Sequence, residues 1–192
     1  MAIDTGIALG CVDLVEVGGL QNIFVTDISN ITTATASGST TYTHLAGTVP
    51  WAMFQLKPNT ATWGTTSSKE GGVTKYETTI SWYIPNVDAT KIAALEKMRN
   101  GCLVGLAEFR EGTVRVCGIS EEYQGFGYNQ ASAKDWQYAD TYATMTLEDT
   151  SGNDFVDGNG VTVTLTATSF ETPRVYTGAI NYNAGNTTAT LV

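Results

Sequence analysis

The stretch from Val73 to Ile119 limits most sharply what this chain can become. Thr74, Tyr76, Thr78, Ile80, Trp82 and Ile84 share one parity, while Val73, Lys75, Glu77, Thr79, Ser81 and Tyr83 share the other. A period of two in aromatic and β-branched residues predicts a strand. Pro85 and Asn86 end it, because proline cannot donate to a ladder. Asp88 then caps a predicted helix with Gly101 at its far end. Ile92, Leu95 and Met98, with Ala94 beside them, form its apolar packing stripe at spacings of three and four. Lys91, Glu96, Lys97 and Arg99 take the other faces. A hairpin about Glu111–Gly112 follows. A two-residue turn there places Phe109 opposite Val114, and Glu108 opposite Arg115 as an ion pair.

The rest of the chain extends this pattern. Ile7 to Glu16, Leu20 to Val25 and, more weakly, Ile28 to Thr35 read as strands. Ala36 to Gly47 is rich in Ser, Thr and Gly and reads as a loop, with a short strand at Thr40–Thr43. In Trp51 to Lys57, Ala52, Phe54 and Leu56 alternate with Trp51, Met53 and Gln55. Pro58 to Gly72 reads as a long extruded loop or arm, carrying Trp63, Lys69 and Glu70 as candidates for contact between subunits. The simpler alternative folds Trp63 back onto its own domain. Glu121 to Gln137 looks like a strand ending in a long turn. Tyr138 to Glu148 and Gly160 to Ser169 alternate regularly, the latter as Val161, Val163, Leu165 and Ala167 against Thr162, Thr164, Thr166 and Thr168. Residues 185–192 read as disordered when alone. There is no repeat, and 192 residues make one domain the expectation. The predicted fold is mainly β, with strands dense around one helix.

Composition narrows the function classes. A net charge of −9 argues against wrapping nucleic acid, which takes clustered Lys and Arg. An acidic surface for solubility explains the sign most simply; a channel that passes DNA without holding it explains it too. Cys11, Cys102 and Cys117 are odd in number and lack C-x-x-C spacing, so neither a disulfide framework nor a zinc site is expected. No signal peptide and no membrane span is predicted. Synthesis in a reducing cytoplasm fits this.

Catalytic groups are scarce. His44 is the single histidine and lies in a Ser/Thr-rich stretch without a G-x-S-x-G partner motif. Asp154 to Gly160 has the wrong spacing for a calcium loop and reads as a turn. Gly125-Phe126-Gly127 lacks the third glycine of a dinucleotide fingerprint. Glu121 and Glu122 point to opposite faces of a strand and make a poor acid/base pair. Tyr123, Phe126, Tyr128 and Trp136 offer a sugar platform or, more simply, core. No enzyme, cofactor or metal is expected.

Several segments, in order, carry a resemblance. Gly10-Cys11 is followed by Val17 to Val25, Phe54 to Lys57 with Thr60-Ala61, and Lys75 to Ile80. Then come Ala93-Ala94-Leu95, Gly101 to Leu106, Gly112 to Gly118, and Thr162 to Thr168 with Pro173. Over most of residues 10–176 the chain resembles tail-tube-like virion proteins of phages that infect Bacteroidetes, including crAss-like phages. The resemblance implies an antiparallel β-sandwich or barrel flanked by one helix, as a subunit of a tail tube or of a neck or tail ring. It implies homo-oligomeric rings (hexamer or dodecamer), contacts with other neck and tail proteins, and phage DNA passing through the lumen without specific binding. Location in the virion and synthesis in the host bacterial cytoplasm follow from it. It also implies a tail-tube-like domain over 1–176, with Pro58–Gly72 as the arm; the chain departs from the family beyond Tyr176, and 177–192 is expected as a C-terminal extension that docks elsewhere. Glu77, Asp140 and Glu148, acidic residues on polar strand parities, are the lumen-facing candidates. A carbohydrate-binding β-sandwich, and a capsid-decorating or head-fibre protein, are the alternative readings. Deleting residues 60–71 is expected to leave a folded subunit that assembles poorly.

Overall fold

The computed structural model describes residues 19–38, 40–120, 142–150, 160–183, 185 and 187–191. It is mainly β with one helix, as the alternation predicts. Nine strands form a curled, half-barrel sheet: β1 (Leu20–Asp27), β2 (Ile31–Ser37), β3 (Thr41–Gly47), β4 (Trp51–Gln55), β7 (Leu103–Phe109), β8 (Val114–Cys117), β11 (Val175–Tyr176), β12 (Ile180–Tyr182) and β13 (Thr188–Leu191). Their spatial order is β12-β13-β4-β1-β7-β8-β11-β3-β2. Four more strands form a second sheet in the order β5-β6-β10-β9: β5 (Ala61–Glu70), β6 (Val73–Pro85), β9 (Thr144–Thr150) and β10 (Gly160–Ser169). Helix α1 (Ala89–Arg99) links β6 to β7.

The central strands of the large sheet bury both faces. Ile23, Val25, Leu103 and Ala107 face the core between the two sheets, together with Ile80, Trp82, Val163 and Leu165. Phe24, Val104 and Leu106 point the other way, into the hollow of the curl, where they meet Trp51, Tyr42, Leu45, Ala189 and Leu191. This explains why Leu103 to Ala107 is an almost unbroken apolar run whereas Gly160 to Ser169 alternates. Burying each large side chain contributes about 1.5–3 kcal/mol. Where the chain passes from β10 to β11, Arg174 is buried, pairs with Glu171 at 3.1 Å and lies 5.0 Å over the Tyr42 ring. Ser120 donates to the same carboxylate at 2.8 Å.

Three sequence expectations are corrected. Ala36 to Gly47 is no loop: β3 spans Thr41–Gly47 with Tyr42 and Leu45 buried, because burial overrides a polar composition. Residues 177–192 are no separate extension: β12 and β13 complete the large sheet, with Ala189 and Leu191 in its core. The β7–β8 hairpin is offset by one residue, with Ala107 opposite Arg115 and Glu108 opposite Val114. The turn is longer than two residues, held by Phe109 N–H to Thr113 O and Gly112 N–H to Phe109 O. One residue of offset exchanges faces, so Glu108 meets Asn22 at 2.6 Å and Tyr182 at 3.0 Å instead of Arg115. Arg115 lies 5.4 Å over the Phe109 ring.

The helix starts as expected, with the Asp88 carboxylate accepting from Lys91 N–H at 2.8 Å. Asn100 is its C-cap, and Gly101 serves close approach rather than a left-handed turn. A Cβ at Gly101 would stand 2.7 Å from Asp27 Oδ2. Ile7 to Glu16 and residues 121–141 lie outside the described residues.

Candidate functional site: a polar sheet face between two open edges

The four-stranded sheet has two unlike faces. Inward, Thr78, Ile80, Trp82, Met145, Val161, Val163, Leu165 and Ala167 are buried. Outward, the register assembles hydroxyl side chains into rows. Thr62, Ser81, Thr164 and Thr146 stand side by side across all four strands. Gly64, Thr79, Thr166 and Thr144 form the adjacent row. Glu148 opposes Thr162 beyond one end of these rows, and Glu77 opposes Thr66 and Thr168 beyond the other. Lys75 shares the outward parity with Glu77. Thr164 Oγ1 donates to Ser81 Oγ at 3.2 Å, and Thr144 and Thr146 Oγ1 lie 3.4 and 3.5 Å from the Thr166 and Thr164 carbonyls.

The two sheets also differ at their edges. In the large sheet, edge strand β12 is three residues long, and edge strand β2 pairs with β3 through two register shifts. Short or bulged edges resist pairing with another chain. In the small sheet, edge strand β5 keeps ten consecutive pairs with β6 without a shift, and β9 keeps seven with β10. Tyr83 N–H donates to Thr60 O at 3.1 Å. The antiparallel alternation then turns the backbone N–H groups of Ala61, Trp63, Thr65, Ser67 and Lys69 toward the free edge.

The expected arm is thus a β-hairpin rather than a loop. Gly71 and Gly72 have φ of 57° and 87°, values that suit a two-residue turn matched to strand twist. That glycine pair between Thr/Ser-rich segments is the sequence signal that could have revealed the hairpin. Beyond Ser169, which pairs with Tyr76, only the hairpin tip continues, carrying Lys69 and Val73, both exposed. The Glu70 backbone pairs with Val73; its side chain is outside the described set. Trp63 is not an exposed anchor: it faces inward, its ring 6.1 Å from Phe109. Deleting residues 60–71 would therefore strip core as well as arm.

The other candidates divide. Glu77 and Glu148 are both exposed on the outward face, whereas Asp140 lies outside the described residues. Leu95 is 3% exposed in the inter-sheet core, with Met98 partly buried against it. Ile92 is 46% exposed and does not pack, which corrects the expected stripe. Clefts of about 390 and 380 Å³ flank the helix, the first lined by Phe54, Trp82, Leu95 and Met98. His44 lies in β3 opposite Thr35. Burial pushes the Cys117 thiol up to about 12, so it stays protonated and unreactive. Among the described residues no cluster of His, Cys, Asp and Glu has metal-binding geometry, and no helix is long and apolar enough to cross a membrane. The aromatic residues 123–136 lie outside the described residues. Comparison with protein-family models, curated proteins and solved structures gives no match.

Proposed function

We propose that this chain is a non-enzymatic phage virion structural protein, a tail-tube or neck/tail ring subunit that self-assembles around a channel for DNA. The observation that carries this reading is the small sheet, with one apolar face, one polar face and two regular edges that are unpaired among the described residues. The sequence resemblance supplies the phage and the DNA. Successive strands in the order β5-β6-β10-β9 are antiparallel, so β5 and β9 run in opposite directions. Rotation about an axis near the strand direction then brings the β9 of one copy beside the β5 of the next in antiparallel orientation. Repeating that contact is heterologous and closes a ring without leaving an edge. The apolar face stays against the large sheet, and the polar face becomes the channel wall.

At a strand spacing of about 4.8 Å, six copies contributing four strands each give a wall about 37 Å across, backbone to backbone. Strand tilt widens it. Twelve copies would double the width, so six suits a single duplex better. Light scattering and electron microscopy of the purified protein test the proposal. Rings or tubes with an open centre are expected. A strict monomer that binds glycans would replace this reading with the carbohydrate-binding one.

A further inference from the structure

The acidic net charge invites a channel that works by repelling phosphate, but the outward face points elsewhere. Its two middle rows hold Thr62, Ser81, Thr164, Thr146, Thr79, Thr166 and Thr144 and no charge at all. Among the described side chains of this face, acid stands toward the ends, at Glu148 and Glu77, with Lys75 near the latter. Proteins that hold nucleic acid grip its phosphates with clustered Lys and Arg, and these two rows carry neither. Water donates to both surfaces and bridges them at little cost.

We infer that this face meets a passing duplex as a neutral, water-covered surface, and that its uncharged hydroxyl rows, rather than its acidic ends, keep DNA from sticking. The inference rests on the proposed ring. It distinguishes this wall from an electrostatic one, whose effect would fade as salt screens it.

The test uses assembled rings and a fluorescent DNA duplex, with binding read by anisotropy at low and physiological salt. Wild-type rings are expected to bind negligibly at both. Glu77→Gln with Glu148→Gln is expected to change that by less than two-fold. Thr79→Lys with Thr166→Lys, which puts cations in the middle rows, is expected to raise binding at least ten-fold at low salt. Thr166→Lys alone provides the smaller version if the pair impairs assembly. A ten-fold rise in binding by the glutamine variant, or clear binding by wild type, would overturn the inference and leave the ring standing. Lysine variants that assemble and still fail to bind would place the face away from DNA and overturn it too. A wild-type protein that forms no ring would remove the proposed function beneath it.

Discussion

The nine-stranded and four-stranded sheets share one core layer but meet the outside in different ways. The large sheet buries residues on both faces and ends in a three-residue strand on one side and a twice-shifted strand on the other. The small sheet buries one face, displays hydroxyl rows on the other and keeps long, regular edges. Among the described residues, the chain protects two edges and leaves two without a pairing strand. Open edges are a hazard for a monomer and an asset for a subunit. On the proposed function, assembly belongs to the small sheet and stability to the large sheet and the layer between.

The largest expected effects fall in that layer. Trp82→Ala, at a residue 0% exposed and with its ring 5.3 Å from Phe54, should cost about 3–5 kcal/mol in urea unfolding. Thr166→Ser, on the outward face of the next strand, should stay within about 0.5 kcal/mol. Comparable losses at the two positions would break the contrast between the faces.

The helix sharpens the comparison on a smaller scale. Leu95→Ala should cost about 2–5 kcal/mol, while Ile92→Ala should cost no more than about 0.5 kcal/mol. Chemical denaturation of both variants checks this. Asp88→Ala should lose about 1 kcal/mol by freeing the Lys91 N–H from its cap.

The smallest effect is a pH dependence belonging to the large sheet. Burial pushes Cys117 from its ordinary 9.0 up to about 12. Burial, followed by the charge and hydrogen bond of Glu108, pushes Tyr182 from 10.0 to about 12. For both groups the folded value lies above the unfolded one. Their contribution is fully present below pH 9 and is lost as pH rises toward 12. Thermal melts should be flat in this respect up to pH 9 and fall above it, with a shallower fall in Cys117→Ala. An unchanged alkaline slope in that variant would show that Cys117 contributes little.

The small sheet was largely legible in the amino-acid sequence because its two faces differ. Val161, Val163, Leu165 and Ala167 against four threonines give both the strand and its inward face. The large sheet was harder because two buried faces erase alternation, and its polar segments are folded by their context. Tyr42 and Leu45 rescue a stretch whose Ser, Thr and Gly suggest a loop, and Ala189 and Leu191 do the same for the C-terminal residues. The β7–β8 offset came from turn length, which Glu111–Gly112 does not specify. Trp63 was misplaced because a strand at a sheet edge, rich in Thr, Ser and Gly, has the composition of a loop. The outward placement of Glu77 and Glu148 followed from parity alone, but the neutrality of the rows between them needed the register of four strands.

Assembly through the open β5 edge is the central claim, and one comparison tests it directly. Ser67→Pro removes an N–H that points to the free edge and leaves the β5–β6 hydrogen bonds in place. Light scattering of this variant beside wild type, with circular dichroism to confirm folding, gives the answer. The account predicts rings from wild type and a folded monomer from Ser67→Pro. Rings of the same mass from the proline variant would contradict it.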